Sequence, residues 1–290
     1  MAKEKVAAQV PEGQAPPISN RRVDLENWLA ALLPGMRAVA RQAVFFVVGL
    51  LCARGVVFGK YAPFGVAAVA AMPYHSMWST VLGCAVGYLL PSQVSVPVHY
   101  IAAILAAAAI RWTMNDLVRV RQHPAFAPMT AFLPMLCTGI ALAFVNGSTP
   151  SGTAMYVAES LLAGGAAYFF AHAGTALGSR RGASGLSGQE IACTLLSLGI
   201  LLPAFADLTI GSISLGHIAA VLGILFAARY GGVAGGGIAG IAAGTLFSLG
   251  TTGLNYVSGA YALGGLMAGV FSPVGRLASA AAFVVANGVA

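Results

Sequence analysis

The sequence predicts an all-α fold, a polytopic transmembrane bundle of about ten helices, and three observations predict it. Of the 290 residues, 58% are hydrophobic and only 8% are charged, whereas a soluble domain carries about 25% charged residues to face water. The charges stand in short spots between long apolar runs. Many of those runs approach the roughly 20 residues that a helix needs to cross the hydrocarbon core. Lipid is therefore the expected solvent for most of this surface.

Residues 1–37 read as a polar, cytoplasmic tail. The stretch Pro11–Asn20 is rich in Pro, Gly and small polar residues, a composition that cannot bury enough apolar surface to order itself, so residues 1–22 are expected to be disordered. Leu25, Trp28, Leu29, Leu32 and Leu33 recur at helical spacing and fit a short interfacial helix over 23–36.

Apolar segments follow at 38–58, 62–74, 76–92, 97–115, 127–146, 152–177, 189–206, 213–229, 232–250, 259–273 and 275–290. The pair 62–74 and 76–92 is broken by Met72-Pro73-Tyr74-His75. It reads as either a broken helix or a tight hairpin, and the basic residues decide between them. With a hairpin there, Arg111, Arg119, Arg121, Arg180, Arg181, Arg229 and Arg276 join the N-terminal set on one side. Of the 15 Lys and Arg residues, only Arg54 and Lys60 then fall on the other side. Lys and Arg concentrate in cytoplasmic loops, so the N-terminus is predicted to be cytoplasmic. The polar linker 178–188, also placed in the cytoplasm, divides a first helix group (38–177) from a second, Gly-rich group (189–290).

The balance of 15 basic against 8 acidic residues would suggest nucleic acid in a soluble protein. Here the basic residues are strung between apolar segments, not gathered on one face with polar or aromatic partners, so no nucleic-acid partner is expected. Cys52, Cys84, Cys137 and Cys193 lie far apart in apolar runs and read as small hydrophobes. The five histidines sit at or near segment ends, none with a second ligand at i+3 or i+4. No catalytic, cofactor-binding or metal-ligating set emerges.

Two features are left as candidate sites. Gly232, Gly236, Gly240 and Gly244 recur every four residues, which lays a groove without side chains along one helix face for close packing. The overlapping Gly235-x-Gly237-x-x-Gly240 matches a dinucleotide fingerprint, but no strand precedes it and no acid follows for a ribose. Glu159 is the most conspicuous charge inside an apolar run. A carboxylate in lipid is costly and faces the bundle interior by default, as a structural polar contact or as an ion or ligand site. Arg54 is its candidate partner, since both belong near the same membrane boundary. Thr245 and Ser248 are expected to bond back to their own helix.

Three stretches carry a resemblance. Residues 61–73 (opening Tyr-Ala-Pro-Phe-Gly-Val-Ala-Ala), 229–240 (opening Arg-Tyr-Gly-Gly-Val-Ala-Gly-Gly) and 261–277 (opening Tyr-Ala-Leu-Gly-Gly-Leu-Met-Ala-Gly-Val-Phe-Ser-Pro-Val-Gly-Arg) resemble the N-terminal membrane region of the stage II sporulation protein E family, from about residue 37 onward. The resemblance implies about ten helices that anchor and cluster the protein at the polar division septum of a sporulating bacterium. It also implies a cytoplasmic central region and a serine phosphatase domain beyond residue 290, using manganese or magnesium. That phosphatase would activate a forespore sigma factor by dephosphorylating the antagonist of its anti-sigma factor. The implied partners are the lipid bilayer, further copies of the chain and the cell-division machinery, with no enzyme activity or cofactor expected within 1–290. A small-molecule transporter or substrate-binding membrane subunit, and the input domain of a membrane sensor, remain as alternatives.

Overall fold

The computed structural model describes residues 21–90, 96–147, 149–178, 187–205, 209–211, 213–250 and 255–289. It divides into two units, Met1–Arg41 and Gln42–Ala290. In the first, the described residues are helical. They open α1 (Arg21–Arg54), which continues into the second unit. Helix runs unbroken through Pro34, where the sequence suggested a separate interfacial helix. The expectation of a disordered tail concerns residues that are mostly outside the described set.

The second unit contains α2 (Phe64–Ala71), α3 (Met77–Leu89), α4 (Pro97–Thr113), the single turn α5 (Val118–Arg121), α6 (Phe126–Val145) and α7 (Pro150–Gly178). It continues with α8 (Gly188–Leu201), α9 (Leu215–Gly250), α10 (Asn255–Val270) and α11 (Arg276–Val289). Among the described residues the only strands are β1 (Thr209–Ile210) and β2 (Ile213–Ser214), which pair antiparallel ahead of α9. The fold class is thus all-α.

The break at Met72–His75 is a hairpin. Tyr88, at the end of α3, donates to the Ala62 carbonyl just ahead of α2, and Cys84 reaches Gly65 O. The end of one helix therefore meets the start of the other. α3 runs alongside α1 in the same direction: Gln42 bonds His75 O and Ser79, and Gly87 lies against Leu50 and Ala53. This packing is close because it is built on glycine. A Cβ on Gly49 would stand 2.5 Å from Thr80 O, and one on Gly83 would collide with Phe46 O.

Inside this frame sits α2, buried at every residue from Phe64 to Ala70. Its eight residues rise only about 12 Å, less than half of a bilayer's roughly 30 Å hydrocarbon core. Mostly small side chains let α3, α4, α6 and α7 close around it.

α9 also turns back on itself. At Gly232 (φ 59°, ψ −144°) the backbone leaves helical geometry. His217 stacks on Phe247 at 4.5 Å, and a Cβ on Gly236 would be 3.0 Å from Ala228 Cβ. Thirty residues of straight helix would separate His217 from Phe247 by about 45 Å. The run is therefore two antiparallel arms, 215–231 and 233–250, each about 26 Å long.

Among the described residues, four stretches are long and apolar enough to cross a membrane: Gly35–Arg54, Phe126–Val145, Pro150–Ala176 and Leu215–Leu249. The last is folded at Gly232. The other helices have 17 residues or fewer, so the structure provides four such stretches where the sequence suggested about ten. α4 runs alongside α2 in the same direction, with Tyr100 at Ala62 and Arg111 at Val69, so Arg111 lies at the end of α2 away from Lys60. α6 and α7 are antiparallel, with Gly139 against Tyr156 and Gly164 against Phe132.

Candidate functional site

Glu159 lies on α7, two and a half turns from its start, with its side chain 1% exposed. Burying a carboxylate requires compensating hydrogen bonds. Its Oε1 accepts one from the Tyr100 hydroxyl at 2.6 Å, a residue that the charge pattern did not single out. The same Tyr100 oxygen accepts from the Ala62 N–H at 3.0 Å, while Tyr88 donates to the Ala62 carbonyl at 2.7 Å. Both backbone groups of Ala62, which would cost several kcal/mol in lipid, are thus satisfied by phenols from α3 and α4. Tyr88 and Tyr100 stack at 4.9 Å, and Tyr156, one turn before Glu159, meets Tyr61 edge-on at 6.0 Å.

The other end of α2 is held by Arg111, buried in the last turn of α4, which donates to Val69 O at 2.5 Å. A helix leaves its final carbonyls without partners, and a guanidinium is suited to fill that gap. Arg54, at the end of α1, is half-buried at the Lys60 end of the unit. Among the described residues, no group of three His, Cys, Asp or Glu side chains could hold a metal ion.

The glycine face of α9 is filled by α10. A Cβ on Gly236 would run into Gly265 O, one on Gly240 into Tyr261 O, and one on Gly244 would stand 2.6 Å from Ser258 Cα. From α10, Gly269 comes equally close to Gly232 O and Val233. Gly232 differs from the other three, because it forms the corner and nothing lies within 4 Å of its own Cβ position. The corner is clasped by Arg229, which donates to Ser272 O at 3.1 Å. Thr245 and Ser248 bond back to Ile241 O and Thr245 O, both at 2.9 Å. His217 Nδ1 pairs with the Tyr261 hydroxyl at 2.6 Å, joining the first arm of α9 to α10.

Between the two helix groups lies a cavity of about 270 Å³, lined by Val56, Phe64, Leu161, Leu196, Leu246 and Leu249 among others. Thr245 is the one polar side chain in its lining. Beside it, the backbone N–H of Phe58 donates to Leu249 O at 2.6 Å.

The geometry is that of a helical membrane bundle whose polar groups serve its own helix ends, and the comparison with known families gives it a place. The family model described as the N-terminal domain of SpoIIE matches residues 3–289. This chain belongs to the SpoIIE family. No curated protein and no solved structure matches it. The SpoIIE match runs through both helix groups, so the hairpin at Met72–His75 and the folded α9 are parts of one family domain. A region of the sporulation protein SpoIIE made of such apolar helices belongs in a membrane. Within that SpoIIE domain, Tyr88, Tyr100 and Arg111 are the polar anchors that sequence reasoning missed. Tyr156 and Glu159, three residues apart and so on one helix face, were the available signal.

Proposed function

We infer that this domain anchors a sporulation serine phosphatase in the cell membrane, carries it to the polar septum and brings its copies together there. The match to the SpoIIE N-terminal domain across residues 3–289 carries this reading. A bundle of several spanning helices holds an attached enzyme in the bilayer far more firmly than a lipid chain does, and clustering raises the local concentration of whatever is attached. The phosphatase it anchors dephosphorylates the antagonist of an anti-sigma factor and so releases a forespore sigma factor.

The N-terminus is cytoplasmic in this reading, supported by the concentration of Lys and Arg in alternate connections between the apolar segments. About ten crossings follow if the shorter helices also span, each accommodated by local thinning of the bilayer. Because α10 already fills the Gly236–Gly244 face, copies of the chain meet through another face.

A fluorescent fusion of residues 1–290 expressed in a sporulating host tests the proposal. Fluorescence should gather at polar septa as sporulation begins. Uniform membrane fluorescence throughout would overturn targeting by this domain, and specific high-affinity uptake of a solute by the same residues would favour a transporter.

A further inference from the structure

Neither anchoring nor targeting calls for a buried acid, yet Glu159 is 1% exposed and its Oε2 has no hydrogen-bond partner. His99, beside Tyr100 at the start of α4, shows the same shortage. It is 7% exposed, its Nε2 is buried without a partner, and its ring lies 4.6 Å from the Tyr100 ring and 6.0 Å from that of Tyr156. Whichever tautomer the ring adopts, its buried Nε2 is a polar atom that nothing meets. A carboxylate oxygen is only an acceptor. Around one pair of tyrosines, two buried polar atoms thus lack a partner, which is costly. The surrounding packing is close, with Tyr88 stacked on Tyr100 at 4.9 Å and Gly139 tight against Tyr156, and this favours the smallest donor over a bulky ligand.

We propose that Glu159, with His99 beside it, is a site that takes up and releases a single proton. The proton comes from hydronium at the Lys60 end of the bundle, forms one O–H bond on the carboxyl and leaves water behind. Release reverses this. The titratable groups around the site are Cys52 from α1, Tyr61 and Lys60 from the α1–α2 connection, Cys84 and Tyr88 from α3, His99 and Tyr100 from α4, and Tyr156 from α7. Lys60 Nζ sits 5.4 Å over the Tyr61 ring, and α2 itself has no titratable side chain. Because Glu159, Tyr100 and Ala62 form one chain of hydrogen bonds, a change of charge at the carboxyl reaches the entry to α2. The site thereby links acidity at that end of the bundle to the packing of its core.

Infrared difference spectra of the purified chain in lipid nanodiscs, recorded between about pH 5 and about pH 9 to bracket the ordinary titration of carboxyl and imidazole groups, test this. The acid spectrum should contain a protonated-carboxyl band that Glu159→Gln removes and Glu190→Gln, at the cap of α8, leaves in place. If Glu159→Gln does not fold, Tyr100→Phe keeps the carboxyl and deletes its phenol partner, and the band should move to the frequency of a carboxyl without that bond. A band that is missing from the parent protein, or unchanged in whichever of these variants folds, overturns the proposal.

Discussion

Replacing Gly236 by leucine places four carbon atoms where α9 and α10 touch backbone to backbone. The first of them, Cβ, would already overlap Gly265 O and stand 3.0 Å from Ala228 Cβ. Neither obstacle is the end of a flexible side chain, so α10 or the first arm of α9 must move. Over-packing of this kind costs about 1–3 kcal/mol even in cores that can partly adjust. Leucine's better helix propensity returns about 0.8 kcal/mol. The separation also weakens the Cα–H···O contacts along the seam, each worth about 0.5–1 kcal/mol. A net loss of about 3 kcal/mol follows, or roughly a hundredfold in the folding equilibrium. Val233→Leu is the matched control, because its side chain points outward, 45% exposed, and should change stability by less than about 0.5 kcal/mol. Retention of helical circular dichroism through a titration of denaturing detergent, compared with the parent, measures both. Equal midpoints for Gly236→Leu and Val233→Leu would refute close packing at this seam.

Other substitutions probe different parts of the argument. Gly232→Ala must adopt φ 59°, ψ −144°, a region used almost only by glycine, and should cost about 2 kcal/mol in the same detergent titration. Arg111→Met leaves Val69 O without its donor and should cost about 2 kcal/mol, while Arg119→Met, on an exposed turn, should be nearly silent. If both arginines prove equally dispensable, α2 does not depend on the Arg111 bond. Single cysteines at Ser148 and Ser184, in a background lacking Cys52, Cys84, Cys137 and Cys193, should react with impermeant reagents from opposite sides of the membrane. Labelling from the same side would contradict the topology read from the basic residues.

Much of the helix pattern could be read from the apolar runs, because hydropathy reports lipid and protein surroundings alike. The same property hid how the helices differ. The run 62–74 is as apolar as a spanning helix, yet it yields eight residues of helix sealed inside the protein. Only the Met72–His75 break and the basic residues hinted at its hairpin. The turn at Gly232 was implied by separate runs at 213–229 and 232–250, though nothing in glycine spacing says whether the partner belongs to the same chain. Around Glu159 the acid was conspicuous because charge is rare in these segments. Tyr88, Tyr100 and His99 were not, since a tyrosine near the end of an apolar run is ordinary at a membrane boundary. Their roles depend on which helices become neighbours, and single-chain periodicity does not contain that information.

The burial of α2 bears on how the chain is made. During synthesis this segment emerges well before α4, α6 and α7, the helices that surround it. At that stage its eight residues are too short to cross the bilayer, and the N–H of Ala62 and the carbonyl of Val69 have neither Tyr100 nor Arg111 to bond. A stable resting place inside the hydrocarbon region does not yet exist, because unpaired backbone groups are excluded from it. The segment must therefore wait at the water boundary or within the insertion machinery until more than a hundred further residues have been added, with the last of its wall supplied by α7. By contrast, the arms of α9 and the adjoining α10 find their partners within a few dozen residues of one another, and that part of the domain can close almost as soon as it is synthesised.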